Sequence, residues 1–343
     1  MIEKRYEIIV VGAGPAGLSC AKRLLELGLR VVVFEKKREI GSPLRCGELT
    51  RGDFYKVIGI RKDEAAIQNT IRSNVVISRS QFEMRMAEII AQRGGRVFTS
   101  TWVKDVIPYD GFYSGVLVQT PIGTLRALSK AVVIAEGVEG IIARKAGFNT
   151  HLELSEIGAC YGAKMDGVRI ENIHEGFGGA VVSVSTPFAY WLFPLSPTSV
   201  NVGIAVAGTE GYRAKERFYD FIMRVKELKG GSITKRIVGA VPMSGPLKIP
   251  YGDGIIVTGT AARLVDPLTG EGIIFALVSG RVAAEVLSNA KKRMDFSQES
   301  LKEYLHKLSG VYRFLRERAK ESRKIIGKGL LHLFQNFEEW YRG

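Results

Sequence analysis

The apolar residues of this chain follow two rhythms, one of period two and one of period 3.6. Residues 6–11, Tyr-Glu-Ile-Ile-Val-Val, are short, apolar and β-branched, which predicts a buried strand of a parallel sheet. Residues 18–29 place Leu18, Ala21, Leu24, Leu25 and Leu29 at helical spacing, and Gly28 ends that helix. Residues 30–34, Arg-Val-Val-Val-Phe, are the next strand. Residues 51–78 read as a mixed segment ending in a strand at 74–77. A helix follows over 80–92, with Phe82, Met86, Ile89 and Ile90 as its apolar face and Gly94-Gly95 as its stop. Strands are predicted at 97–106, 114–120 and 124–127, the last two joined as a hairpin by Pro121-Ile122-Gly123. Residues 131–135 are another fully apolar strand. It ends at Glu136-Gly137, and a helix is predicted over 141–146.

From about residue 151 the pattern changes. Strand-like segments at 157–165, 179–185 and 200–207 are separated by Thr, Ser, Pro and Gly. Among them lies the most aromatic stretch of the chain, Thr186-Pro187-Phe188-Ala189-Tyr190-Trp191-Leu192-Phe193-Pro194. In an extended strand Ala189, Trp191 and Phe193 face one side and Tyr190 the other. Such a face is equally well read as core or as one wall of a pocket for an apolar ligand. Residues 213–228 read as a helix and 255–258 as a strand. A glycine-rich loop over 259–273 and an apolar helix over 274–287 come next. The tail, 301–343, is helical and basic. Arg313, Arg316, Arg318, Lys320, Arg323, Lys324 and Lys328 crowd one region, followed by Leu330, Leu331, Leu333, Phe334, Phe337, Trp340 and Tyr341.

The first strand and first helix flank Gly12-Ala13-Gly14-Pro15-Ala16-Gly17, a G-x-G-x-x-G motif in the context it requires. The first glycine permits a tight turn, the second lets a pyrophosphate approach the backbone, and the third lets helix and strand pack closely. Phosphates would sit at the helix N-terminus, where unpaired N–H groups favour anions. Glu35 ends the second strand, at the distance expected of the acid that binds ribose hydroxyls. A carboxylate there repels a 2′-phosphate, so FAD or NAD fits better than NADP, although Lys36, Lys37 and Arg38 weaken that exclusion. The loop Gly41-Ser42-Pro43-Leu44-Arg45-Cys46-Gly47-Glu48 leaves the carboxyl end of the sheet, where ligands of doubly wound folds bind. Cys46 in its centre is either a small core residue or a group beside the ligand. Arg79 precedes the helix at 80–92 and reads, on its own, as a surface charge.

Composition narrows the function classes. The 343 residues, 46% hydrophobic, suffice for two closely joined domains. No secretory signal and no membrane-spanning run are expected. Cys20, Cys46 and Cys160 form neither a disulfide framework nor a zinc pattern, which suits a reducing cytoplasm. His151, His174, His306 and His332 form no metal-ligating cluster, so no metal is expected. A net charge of +14 suits nucleic acid, an anionic membrane surface or a generally basic exterior. No nucleic-acid motif accompanies it, so no nucleic-acid partner is expected.

The motifs together resemble a known family. Residues 12–17 with Glu35, the loop at 41–48, Arg79-x-x-Phe82, Ala135-Glu136-Gly137, Trp191-x-Phe193-Pro194, and Ala261-Ala262-Arg263 through Asp266-Pro267-x-x-Gly270-x-Gly272-Ile273 carry the resemblance. They are similar to the FAD-dependent oxidoreductases of the glutathione-reductase superfamily, in the branch containing para-hydroxybenzoate hydroxylase. More narrowly, the chain resembles the geranylgeranyl reductase family, especially the archaeal enzymes that reduce digeranylgeranylglycerophospholipids. The Cys-Gly-Glu loop and the Trp-x-Phe-Pro segment mark that narrower family. The match covers roughly residues 5–290.

The resemblance implies an α/β fold. A Rossmann-like FAD-binding domain of the glutathione-reductase type would span 1–150 and 245–290, with an inserted antiparallel-sheet substrate domain at 151–244 and a helical C-terminal segment at 291–343. It implies FAD contacts at Gly12, Gly14, Ala16, Gly17, Glu35, Lys36, Cys46, Gly47, Leu49, Arg79, Val103, Glu136, Gly137, Thr260, Gly272 and Ile273. Tyr190, Trp191, Phe193 and Pro194 would line the substrate cavity, and Cys46 is the catalytic candidate facing the flavin. The chain departs from the family's pattern in three places. Thr260 replaces an aspartate that binds the ribityl chain, which predicts a looser hold on FAD. Glu136 replaces another aspartate, and Ala189 stands where an aromatic is usual.

The implied activity is reduction of C=C bonds in an isoprenoid lipid by hydride transfer from reduced FAD. An external donor, ferredoxin or reduced nicotinamide, would supply the electrons. The implied location is the cytoplasm, with the basic tail either resting peripherally on an anionic membrane or docked on the FAD domain with a solvated basic face. A flavin-dependent monooxygenase of the same fold is one alternative, against which the Cys-Gly-Glu loop argues. A non-catalytic flavin- or lipid-binding homologue is the other, supported by Thr260.

Overall fold

The strands of the nucleotide half end in one row, and that row positions everything bound to it. In the computed structural model, which describes residues 2–71, 73–111, 114–170, 181–185 and 188–328, a six-stranded sheet runs Tyr251–Gly252, Ile255–Val257, Ala131–Ile134, Ile8–Val11, Val31–Phe34, Arg96–Phe98. All neighbours are parallel except the Tyr251–Gly252 edge. The register aligns Val257, Ile134, Val11, Phe34 and Phe98. The β-branched composition of these strands suits burial on both faces, and the four central strands are buried throughout. Helices Pro15–Glu26, Arg79–Gln92 and Ile273–Arg293 pack on this sheet. A second sheet, in the order Ile2–Arg5, Gly123–Ser129, Ser114–Thr120, Trp102–Ile107, joins the same core through Val116, Val118 and Ala127.

Two segments differ from their sequence reading. The strand expected at 97–106 is two strands in different sheets, Arg96–Phe98 and Trp102–Ile107. Between them Ser100 adopts a left-handed φ of +51°, and the N–H groups of Ser100 and Thr101 donate to the carbonyls of Lys37 and Glu35. The helix expected at 213–228 is Ala214–Arg224. Buried Val225 turns extended, and a single turn, Lys226–Leu228, follows.

The second half is a five-stranded antiparallel sheet in the order Val181–Ser185, Phe188–Ser196, Ser199–Ala207, Ile157–Asp166, Ser232–Pro242. Sequence periodicity misses Ser232–Pro242, whose first half alternates with Lys235 and Arg236 and is largely exposed. One face of the sheet, with Ala163, Met165, Leu192, Val202, Ile204 and Val206, is covered by Ala214, Phe218 and Phe221 of helix Ala214–Arg224. The other face turns towards the nucleotide half.

Helix Ile273–Arg293 is long and apolar enough to cross a bilayer, yet 67% of its most apolar window is buried inside the protein. It packs along Pro15–Glu26 as a core helix. The C-terminal segment forms Gln298–Leu301, Glu303–Lys307 and Ser309–Lys328. The last of these docks through Tyr312, Leu315, Ala319 and Ser322, a buried stripe at helical spacing. Arg313, Arg316, Lys320, Arg323 and Lys324 point outward. Arg318 turns in, its Nε and Nη2 donating to both carboxylate oxygens of buried Asp266 at 3.1–3.2 Å. The apolar run at 330–341 lies outside the described residues.

That clamp yields a prediction. Hydrogen bonds to charged groups are worth about 1.5–3 kcal/mol, whereas an unpaired surface cation is worth within about 0.5 kcal/mol either way. Arg318→Met should therefore lower unfolding free energy by about 1.5–3 kcal/mol in urea titrations, while Lys320→Met should leave it nearly unchanged. Equal midpoints for both variants would show that Asp266 is satisfied without the C-terminal helix.

Candidate active site

The row of strand ends carries the nucleotide motif. Gly12 follows Val11 with φ +103°, and a Cβ there would approach the Ala135 carbonyl oxygen to 2.5 Å. A Cβ on Gly17 would overlap the Gly12 carbonyl, so helix and strand meet at backbone distance. Around Gly14, by contrast, a Cβ would meet nothing within 4 Å, which leaves open space above the loop. The three glycines thus fill the three roles of a dinucleotide loop. Helix Pro15–Glu26 starts at Gly14 with no side-chain cap, leaving its first N–H groups to an anion. These features fit a dinucleotide cofactor.

Glu35 is buried at the end of the adjacent strand. Its Oε2 accepts from the Ala13 N–H at 2.7 Å and its Oε1 from the Lys37 N–H at 2.9 Å, so the carboxylate also braces the loop. Lys36, whose sequence position suggested a cofactor contact, is ion-paired with Glu139, which also accepts from Arg45 at 3.0 Å. Glu136 caps helix Ile141–Lys145, accepting from Ile142 and Ala143 N–H at 3.0 and 2.7 Å. Burial pushes its carboxyl up and those donors pull it back. Gly137 beside it has φ +87°.

On the far side, Gly259 abuts Ala16, to which a Cβ would come within 2.6 Å. Thr260 is half-buried in the turn Gly259–Ala262. Gly272 precedes helix Ile273–Arg293. Glu271 accepts from the Ile274 N–H at 3.2 Å and the Thr50 hydroxyl at 3.1 Å, and burial raises its carboxyl. Val103 is buried in the common core.

The loop at 41–48 runs between the two halves. Arg79 is held by Glu83, with Nε donating at 2.6 Å, and lies beside the Cys46 sulfur. Cys46 Sγ accepts from the Glu48 N–H at 3.2 Å. Burial pushes the thiol up, and the Arg79 guanidinium pulls it partway back. Gly47 is pressed on the aromatic strand: a Cβ there would lie 2.8 Å from the Phe193 ring and 3.4 Å from Trp191 Nε1. Leu49 packs in a small cluster with Ile71, Val76, Trp191 and Phe193. Two motifs more than a hundred residues apart therefore meet.

The sheet face opposite helix Ala214–Arg224 is built of rows set by register. One row is Lys164, Asn201 and Phe193; the next is Gly162, Gly203 and Trp191; the third is Cys160, Ala205 and Ala189. The small residues leave a shallow trough, across which the Trp191 indole lies over Gly162 and Gly203. Burial pushes the Cys160 thiol up to about 12. Pro194 is buried, its carbonyl accepting from Asn69 at 2.9 Å. Tyr190 points away from this face and packs against Phe221, the rings tilted by 45° with centroids 4.6 Å apart. The strand alternation that presents Trp191 and Phe193 to the trough puts Tyr190 in the helix-covered core, so it does not join them.

Sequence reasoning missed three members of the site. Buried Glu48 accepts from Lys164 Nζ at 2.6 Å, from the Arg79 N–H at 2.8 Å and from Asn201 Nδ2 at 3.3 Å. Asn201 in turn accepts from Trp191 Nε1 at 2.9 Å. One signal was available: Asn201 is a lone amide within the apolar strand Ser199–Ala207, and a buried amide needs partners. Among the described residues no cluster of ligating side chains could hold a metal ion.

Known proteins resemble this chain along most of its length. Residues 10–57 match the NAD(P)-binding Rossmann-like domain family. The chain is 30% identical to digeranylgeranylglycerophospholipid reductase 1 of Methanopyrus kandleri, over 94% of this chain and 90% of that one. It is 32% identical to the digeranylgeranylglycerophospholipid reductase of Methanocaldococcus jannaschii, over 94% and 87%. A geranylgeranyl bacteriochlorophyll reductase-like protein from Thermoplasma acidophilum superposes with a TM-score of 0.86 at 25% identity, over 95% of this chain and 88% of that one. With likeness along nearly its whole length and the same strand-loop-helix frame, the chain belongs to the digeranylgeranylglycerophospholipid reductase family.

Proposed function

We propose that the chain is an FAD-dependent reductase acting on carbon–carbon double bonds in the isoprenoid chains of a geranylgeranyl lipid. The observation that carries this reading is the contact of the 46–47 segment with Trp191 and Phe193, where the nucleotide edge meets the small-residue trough. The loop at 12–17 and Glu35 would hold the pyrophosphate and adenosine ribose. Arg79, Thr260, Gly272, Ile273 and the 46–49 segment would hold the flavin half. When bound and reduced, FAD supplies the hydride.

The remaining work belongs to the chain. An isolated trisubstituted alkene is a poor hydride acceptor, so it must be held in place and kept dry. The apolar trough, floored by the Trp191 indole lying on Gly162 and Gly203 and continued by Ala205 and Phe193, serves both ends. The second alkene carbon needs a proton. Glu48 of the loop is already taken up by Lys164, Asn201 and the Arg79 N–H; Cys46, whose thiol burial pushes up, is left as the proton-bearing group there, and we assign it the catalytic role. Electrons come from an external carrier, ferredoxin or reduced nicotinamide. The outward face of helix Ser309–Lys328, with Arg313, Arg316 and Lys320, suits peripheral contact between a cytoplasmic enzyme and an anionic membrane that holds the lipid.

Three outcomes follow. Glu35→Arg should weaken FAD binding at least tenfold, because it removes a charge-assisted hydrogen bond and the brace on Ala13; quenching of flavin fluorescence measures this, and full occupancy in the variant would refute the adenosine placement. Thr260→Asp should tighten FAD about fivefold, the gain of a charged over a neutral acceptor being about 1 kcal/mol. Tighter binding by the natural threonine would remove Thr260 from the ribityl site. Cys46→Ser should change the rate of lipid-dependent flavin reoxidation with an unaltered melting temperature. A large fall in melting temperature at normal turnover would make Cys46 a packing residue.

A further inference from the structure

We propose that Asn201 is a positioning residue that couples the orientation of Trp191, and so the width of the trough, to the Glu48 carboxylate of the cofactor loop. The inference rests on the proposed lipid site and names what sets its shape. Asn201 is fully buried at the centre of its strand. Its Oδ1 accepts from Trp191 Nε1 at 2.9 Å, and its Nδ2 donates to Glu48 Oε2 at 3.3 Å. Lys164 Nζ lies 2.6 Å from the same Glu48 oxygen, and the Arg79 N–H donates to Oε1 at 2.8 Å.

The chemistry permits only one polarity. An indole can only donate and an ionised carboxylate can only accept, so a residue joining them must accept at one end and donate at the other. An amide does this. Leucine of similar shape does neither, and aspartate could serve Trp191 but would face Glu48 with a second acceptor. Packing makes the orientation matter. The indole lies flat because Gly162 and Gly203 have no side chains beneath it, and a Cβ on Gly162 would come within 2.8 Å of its ring. The glycines allow the flat position without choosing it. The hydrogen bond to Asn201 chooses it: in the flat position Nε1 reaches Asn201 Oδ1 in the neighbouring row of Lys164, Asn201 and Phe193. A ring released from Asn201 is free to stand into the trough and narrow it. Glu48 is thus shared: its backbone N–H touches Cys46 on the cofactor side while its carboxylate, through one amide, sets the aromatic wall on the lipid side.

The test uses full-length protein carrying Trp102→Phe and Trp340→Phe, so that Trp191 alone reports. Emission and anisotropy are read with and without geranylgeraniol, alongside dissociation constants for geranylgeraniol and the one-unit-shorter farnesol. Asn201→Asp sets two carboxylates against each other; their repulsion should swing the new one off Trp191, shift Trp191 emission to the red and weaken geranylgeraniol about tenfold, the loss of one buried hydrogen bond to a charged group. Adding Glu48→Gln to Asn201→Asp restores a donor facing the new carboxylate and should return both readouts towards those of the parent. Asn201→Leu should match Asn201→Asp and gain nothing from Glu48→Gln. Where Asn201→Leu fails to fold, the two isosteric substitutions decide alone. A double variant no closer to the parent than Asn201→Asp, or an Asn201→Asp protein with unchanged emission and affinity, overturns the coupling. Failure of the parent itself to bind geranylgeraniol overturns the lipid reading instead, while the emission arms still decide the coupling.

Discussion

Close approach of backbone to backbone around Ala16 is the constraint on which the nucleotide half depends. A side chain on Gly17 would overlap the Gly12 carbonyl, and one on Gly280 would overlap the carbonyl of Ala16. Gly259 meets the Ala16 methyl from a third direction. Three glycines separated by up to 263 positions therefore let the first helix sink against its own strand, the long helix and the last loop at once. Once they do, the N-termini of helices Pro15–Glu26 and Ile273–Arg293 lie at the same edge of the sheet. Anion-binding dipoles and N–H groups are then gathered without a single cationic side chain in the loop at 12–17.

The second half answers a different physical problem. An antiparallel sheet with one face covered by a helix must still present something on the other. Here that face carries glycine, alanine and cysteine beside two aromatics, with Lys164 and Asn201 confined to the row that meets Glu48. The trough they leave would be a weakly defined surface if the aromatics were free to turn. The buried amide of Asn201 and the carboxylate of Glu48 supply the direction that apolar packing lacks. Cost and benefit are local. Glu48 sits at a left-handed φ of +69° and is almost wholly buried, which is tolerable because three donors surround its carboxylate.

The C-terminal helix shows how the same basic composition serves two ends. Its inner stripe is apolar, and Arg318 reaches the loop that opens the long helix. Asp266 also accepts from the Leu268 N–H and the Thr269 hydroxyl, so the clamp ties the tail to the turn geometry of the glycine-rich loop. The outward arginines and lysines form an exposed basic face.

Much of this was legible along the chain because glycine conformation and hydrophobic period are local properties. The strand at 8–11, the loop at 12–17, the acid at 35 and the third strand-loop-helix unit each follow from a few consecutive residues, and so does the alternation that separates Tyr190 from Trp191. The basic tail could be read as helical, but docking on the FAD domain and rest on a membrane stayed open alternatives, since a stripe of Tyr312, Leu315 and Ala319 does not name what it packs on. The strand Ser232–Pro242 and the break at 99–101 were hidden because their pairing partners, not their own residues, define them. Whether Trp191 and Phe193 belong to a core or to a wall was likewise open. Only the fold laid Gly47 on their rings and brought Glu48, Lys164 and Asn201 together across separations of 37 to 153 residues. A sequence determines which residues can donate, accept or be buried; strand register and domain packing decide which of them meet.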